Sequence, residues 1–234
     1  MQKNRAVLDI IVDMFPVSAK VGALALLWAI IVGVPLGCLA AFKRGKFTDS
    51  LLRVICTLGI SMPSFVVASV LLVTLTGDRA GNLFPSIFDA SQGFRAYLLP
   101  CFALGFYPMC YTARQTRSAM LDSLGQEYIK TARAKGLKNK KIIFKHALRN
   151  ALIPVITYLG PQVAFTLCGG FVVESVFSIP GLGRYFVQSI QNRDYPVIMG
   201  TTIFLATFII MMNLVVDILY KIADPRISLT KGGD

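Results

Sequence analysis

The chain has little of what enzyme chemistry draws on. It has a single histidine, His146, which leaves no partner set for a metal site or a catalytic triad and argues for a surface role. Its five cysteines, Cys38, Cys56, Cys101, Cys110 and Cys168, lie in or beside apolar segments and form no CxxC pair. That spacing argues against a disulfide framework or a zinc site, and for small packing residues. No GxxxxGK(S/T) phosphate loop occurs, so the chain should not bind ATP by that route. Neither GxSxG nor HExxH occurs. No two carboxylates lie close together in an apolar segment, and neither a cofactor nor a metal is expected. Charge is also scarce: 15% of the residues are charged, against roughly 25% in a soluble domain.

What remains is apolar. Hydrophobic residues make up 55% of the 234 and the mean hydropathy is +0.63, which defines an integral membrane protein. The net charge of +12 would otherwise suggest a nucleic-acid partner. Here the basic residues sit between apolar runs, so the membrane explains them better.

Five spans are expected: about Val21–Phe42, Val54–Thr76, Tyr97–Ala113, Ala151–Val173 and Val197–Tyr220. Before the first, Ile10, Ile11, Met14 and Phe15 suit one face of a short interfacial helix. Gly22, Gly33 and Gly37 allow close helix contact in the first span. Pro63 removes a backbone donor in the second and predicts a kink, for packing or for gating. The third is short, with Arg114 and Arg117 carrying its helix beyond the lipid core. The fourth is expected to break at Pro154, Gly160 and Pro161, and Glu174 closes it. Pro180, Gly181 and Gly183 form a sharp turn in the external segment that follows, and no strand precedes them to suggest a dinucleotide site. In the fifth, Asp217 and Lys221 fall at i, i+4, which suits a structural pair at the interface and also permits an ion relay. Basic residues after spans one and three, and a basic tail, place the C-terminus inside and the N-terminus outside.

The longest polar interval, Glu127–Pro154, reads EYIKTARAKGLKNKKIIFKHALRNALIP and sits between two spans. Tyr128, Ile129, Ala132 and Gly136 fall at helical spacing, and Gly136 suits a left-handed helix stop. LKNKK is a turn, after which Phe144, Leu148, Ala151 and Leu152 are expected to share a face and Lys141, Lys145 and Arg149 another. Two amphipathic helices meeting at a glycine make a docking element; the plainer reading is a basic loop that only sets topology.

Four stretches resemble one family. EYIKTARAKGL with HALRNALIPVIT, GGFVVESVFSIPGLGRYFVQSIQNRDYPVIMG, NLVVDILYKIADPRISL and FPVSAKVGALALLWAIIVGVPLGCLAAFKRG are similar to the permease subunit of a binding-protein-dependent ABC importer, of the oligopeptide/dipeptide/nickel group. The resemblance covers nearly the whole chain, treated as one permease domain over residues 1–234. It implies an all-α, polytopic type I importer fold in the bacterial cytoplasmic membrane, with a cytoplasmic coupling helix. It also implies a related second permease subunit, two cytoplasmic ATPase subunits, and an external binding protein, with no nucleic acid. Glu127, Tyr128, Thr131, Ala132, Ala134, Gly136 and Leu137 would then couple to the ATPase. Pro63, Glu174, Pro180, Gly181, Gly183 and Asp217 are the structural or gating candidates.

The sequence departs from the family in two ways. The general motif begins Glu-Ala-Ala, where Lys130, Thr131 and Ala132 stand here. Members usually carry a further span and an external domain ahead of the part seen here. Peptides are the substrate the resemblance implies, with nickel or glutathione-type solutes as the alternative. Adjacent Met211 and Met212 point in different directions and make no metal cluster. Two other classes stay open on the residues alone: an ion-coupled secondary transporter using Asp217, and a membrane scaffold whose basic loop binds lipid or RNA.

Overall fold

The computed structural model describes residues 5–76, 84–138, 141–168 and 170–223, with no side chain described at 145 or 219–223. Apart from one isolated bridge, Thr76 to Phe84, the described residues form helices and turns. In order these are α1 (Val7–Phe42), α2 (Phe47–Ser61), α3 (Ser64–Leu75), α4 (Phe94–Leu124), α5 (Glu127–Ala134), a π-helix (Ile142–Ala147), α6 (Leu148–Leu167), α7 (Phe171–Val176), α8 (Leu182–Gln191) and α9 (Tyr195–Ala223).

Three helical stretches, Val7–Phe42, Ile142–Val176 and Tyr195–Ile218, are long and apolar enough to cross a membrane, and α2 with α3 makes a fourth if the broken pair counts as one span. The expected third span lies inside α4. Tyr97, Pro100, Tyr107, Pro108 and Tyr111 dilute its apolar run, so it is the weakest of the five by composition. As expected, α4 continues through Arg114 and Arg117, to Leu124.

Two expectations are corrected and one is sharpened. The N-terminal segment is no separate interfacial helix, because α1 is continuous for 36 residues. At about 1.5 Å per residue it is far longer than a roughly 30 Å hydrocarbon layer. Ile10 and Ile11 are buried, and Phe15 packs edge-on against Phe204 and Phe208 at 5.0 and 4.8 Å. That face is satisfied by protein. Second, α6 runs through Pro154, Gly160 and Pro161 and stops only at Leu167. Membrane helices tolerate proline because neighbouring groups and local adjustments satisfy the freed carbonyls. The kink expected at Pro63 is present as a full break, with the second span made of two helices bent by 104°. Met62 is extended (φ −86°, ψ 124°), the bias a following proline imposes, and Pro63 (φ −61°, ψ 140°) is the N-cap of α3.

The chain divides into two compact units. The first contains Met1–Leu26, Pro63–Gly105 and Gly160–Asp234. Its core gathers Ile11, Cys168, Leu182 and Leu205, with Phe15, Phe171 and Phe208 around them. The second contains Leu27–Met62 and Phe106–Leu159, with one cluster around Ala29, Cys56, Met109 and Cys110 and another around Met120, Ile129, Ile142 and Ala147. In this unit α1 lies against α4 through Gly33 and Gly37: a Cβ at Gly33 would stand 2.8 Å from the Met109 carbonyl oxygen. All five cysteines are free, four of them buried, as packing residues should be.

Candidate functional site

The polar interval builds a helix-turn-helix inside the second unit. α5 buries Ile129 and Ala132 and leaves Glu127, Thr131 and Ala134 in the open. Burial of a side chain such as Ile129 contributes roughly 1.5–3 kcal/mol. The exposed Lys130–Glu127 pair, at 2.7 Å, contributes little. α5 ends in a Schellman motif. The Leu137 N–H donates to the Ala132 carbonyl (3.3 Å) and the Gly136 N–H to that of Arg133 (2.9 Å). Gly136 has φ +70°, and Leu137 packs back on the cluster that holds Ala132. Among the described residues, its chain neighbours apart, no atom lies within 4 Å of where a Cβ at Gly136 would stand, so the reason for glycine that these residues show is the backbone angle.

Beyond the turn the expected face holds for Leu148 and Ala151 and fails at Phe144. Asn139 and Lys140 lie outside the described residues. Residues Ile142–Ala147 are a π-helix, in which each turn holds one residue more than the 3.6-residue period allows for. The buried set is therefore Ile142, Ala147 and Ala151, while Phe144, expected on the packed face, is 65% exposed.

Ser123, which the sequence did not mark, joins the pieces. Its hydroxyl donates to the Ala147 carbonyl (3.1 Å) and lies 2.6 Å from the Tyr128 hydroxyl. With one proton per hydroxyl, Tyr128 donates to Ser123. A cleft of about 430 Å³, lined by Gln115, Asp122, Gln126, Tyr128 and Asn150 among others, opens beside this junction.

In the first unit the structure assembles four of the six gating candidates. Pro180 and Gly181 form the turn into α8, where the Gly181 N–H donates across Pro180 to the Ile179 carbonyl (2.8 Å). Glu174, 1% exposed, lies at the N-terminus of α8. Its Oε2 accepts from the Arg184 N–H at 3.0 Å, and the Gly183 N–H and the Ser18 hydroxyl face the same carboxylate. Ser18 in turn accepts from the Leu182 N–H at 2.9 Å. A carboxylate this buried costs several kcal/mol unless paired or hydrogen-bonded; here the donors of a helix N-terminus and its dipole compensate at Oε2, while Oε1 is buried without a partner among the described residues. Gly181 and Gly183 are glycines for space. A Cβ at Gly181 would strike Glu174 Oε2 and Ser18 Oγ, and one at Gly183 would stand 2.9 Å from the same Oε2. Arg184 closes the loop from the other side, donating to the Ser178 carbonyl at 2.7 Å.

Pro63 and Asp217 take no part in that cluster. Asp217 is exposed on α9, and the side chain of its expected partner Lys221 lies outside the described residues.

A third polar site, in the second unit, went unread in the sequence. Asp49, in the first turn of α2, has a fully buried carboxylate. Arg117 grips it with two bonds (Nε to Oδ1 2.6 Å, Nη2 to Oδ2 2.9 Å), the Gly45 N–H donates at 3.0 Å, and Arg53 lies at 3.6 Å. The available signal was one acid standing among Lys43, Arg44, Lys46 and Arg53.

A helical domain with several apolar spans and a docked helix-turn-helix between two of them is the architecture of a membrane transport domain. The fold matches that of an inward-facing MetNI methionine ABC transporter chain with a TM-score of 0.67 at 16% identity, over 92% of this chain and 97% of that one. Residues 33–229 match the family of binding-protein-dependent transport system inner membrane components, and the chain belongs to that family. It is 49% identical to the dipeptide transport system permease protein DppB of Bacillus subtilis, over 94% of this chain and 70% of that protein. It is 42% identical to DppB of Lactococcus lactis, over 97% and 73%, and 42% identical to the oligopeptide transport system permease protein OppB of Haemophilus influenzae, over 96% and 73%.

Proposed function

We propose that this chain is a permease subunit of an ATP-driven importer of dipeptides or oligopeptides. The observation that carries the reading is the 37–49% identity, over most of the chain, to permeases named for dipeptide transport. Those names do not favour the nickel or glutathione alternative. The family brings an external binding protein and ATPase partners. A related second permease and two ATPase subunits complete the assembly. The Glu127–Pro154 element enters a groove of one ATPase, and its exposed residues Glu127, Tyr128, Thr131 and Ala134 meet that subunit. Closure of the ATPases moves this element and, through Ser123 and the buried Ile129–Ile142 cluster, the helices above it.

Uptake of a labelled dipeptide by inside-out-corrected vesicles tests this. Import should require the chain and ATP, and should survive collapse of the proton gradient. Import that stops with the gradient while ATP is supplied would place the chain among ion-coupled carriers, with Asp217 as the residue to examine.

Sidedness gives a second prediction. The loop after α1 is basic and belongs inside, whereas the segment before α4 belongs outside. In a background without the five native cysteines, Lys46→Cys should react with an impermeant thiol reagent only after the cells are opened. Gln92→Cys should react in intact cells. Both residues are exposed, so access does not confuse the readout. Reversed labelling would invert the topology and remove the element from the ATPase side.

A further inference from the structure

The second unit carries a polar site apart from the Glu127–Pro154 element, and we propose that it holds the headgroup of an anionic phospholipid. The inference rests on the membrane topology proposed above. A cavity of about 250 Å³ lies between the last turns of α1, the middle of α2 and the C-terminal half of α4. Its walls are apolar, with Leu36, Ala40, Leu52, Cys56 and Ala113 among them, and its rim carries Arg53, Arg114 and Arg117.

Three guanidinium groups there face one carboxylate. Asp49 is saturated by Arg117 and the Gly45 N–H, with Arg53 at 3.6 Å. It thereby fixes Arg117 at the pocket, and it cannot neutralise all three cations. No carboxylate pairs with Arg114 among the described residues; its guanidinium lies 5.4 Å from the ring of Tyr111. The rim keeps two positive charges in excess, and an anion complements it.

The walls say which kind of anion. A free phosphate or a small carboxylate satisfies the arginines and leaves the apolar surface in water. An amphiphile satisfies both. α2 also offers a bed for its chains: Leu51, Ile55 and Leu58 follow one another at i, i+4, i+7, and with Val54 they are 43–60% exposed. The basic residues that follow α1 mark this end as the cytoplasmic one, where the leaflet is rich in anionic lipid. A headgroup on the arginines with acyl chains along α2 is therefore the occupant that the charge, the walls and the exposed stripe share.

The test uses the full chain, purified from native membranes in detergent with the subunits that accompany it. Dioleoylphosphatidylglycerol and dioleoylphosphatidylcholine are titrated in turn, and retained lipid is read by native mass spectrometry. The wild type should retain phosphatidylglycerol in preference. Arg53→Gln and Arg114→Gln should each weaken that retention about fivefold, from roughly 1 kcal/mol per basic residue near a charged lipid surface. Retention of phosphatidylcholine should not change. Arg114→Gln leaves the Asp49–Arg117 pair untouched, and Arg53→Gln removes only a 3.6 Å contact to Asp49 whose two short bonds to Arg117 remain, so the melting temperature should hold, for Arg114→Gln above all, and loss of lipid there will not reflect loss of fold. Millimolar inorganic phosphate or dialanine should not displace the lipid. Equal retention of the two lipids by the wild type, or unchanged retention by the Arg53→Gln/Arg114→Gln double variant, would overturn the inference. So would displacement by phosphate, which marks a site for the anion alone, or by dialanine, which marks a peptide path. Failure of dipeptide uptake refutes the transport reading and leaves this preference to stand or fall separately.

Discussion

Gly181→Ala is expected to destabilise the protein by about 1–3 kcal/mol, the usual range for forcing a methyl group into a packed site. Gly181 has an ordinary extended backbone, φ −105° and ψ 170°, which alanine adopts without strain. The whole effect must come from space. The new methyl group meets Glu174 Oε2, Glu174 Cδ and Ser18 Oγ, the groups that satisfy the N-terminus of α8. Moving Glu174 aside removes acceptors from the Gly183 and Arg184 N–H groups and strands a buried carboxylate. Glu174→Ala alone should also cost stability, since it leaves those donors bare.

The two changes should not add. Without the Glu174 carboxylate most of the obstruction is gone, so Gly181→Ala should cost clearly less in the Glu174→Ala background. A coupling of about 0.5–3 kcal/mol is the range for residues in one network. The measurement is the melting temperature of the four members of the cycle in detergent, with the level of each in membranes. Additive losses would show that Glu174 does not set the space at Gly181, and the capped-helix account would be wrong.

Gly136→Val should abolish transport while the chain still inserts at a normal level. Here the reason is conformational. At φ +70° a residue with a side chain pays about 1–2 kcal/mol, and a β-branched one more. The Schellman bonds of Leu137 and Gly136 depend on that angle, and with them the direction in which the chain leaves α5. Insertion depends on the apolar helices and should survive.

Gly136→Asn separates the backbone from a contact. Asparagine tolerates the left-handed region, and the described residues leave its Cβ clear. It should keep most of the dipeptide uptake and ATPase co-purification that valine loses. If asparagine fails as badly as valine while the melting temperature holds, the glycine is required by a partner's surface. Full transport by Gly136→Val would remove this turn from the coupling path altogether.

Much of the Glu127–Pro154 interval was legible because its rules are local. The apolar spacing of Ile129 and Ala132 and the stop at Gly136 are each decided within about one turn of helix, and the structure shows both. The burial of Phe144 was misjudged, because a 3.6-residue period cannot anticipate a π-helix. The extra residue in the turn moves Ala147 onto the packed face and Phe144 off it. Proline misled in one helix and guided in another. Pro63 ends a helix where its predecessor turns extended, whereas Pro154 and Pro161 are carried within α6.

By itself the sequence determined that this is a helical membrane protein, which stretches are apolar enough to span, and where the basic interval falls, since those follow from composition and short-range periodicity. Only the tertiary structure decided what the buried charges do. Ser18 reaches the N-terminus of α8 across 164 residues, and Arg117 reaches Asp49 across 68. No local preference marks either pair. Each exists because helix packing removes water from polar groups, a helix-terminal N–H in one and a carboxylate in the other, and leaving either unpaired costs stability.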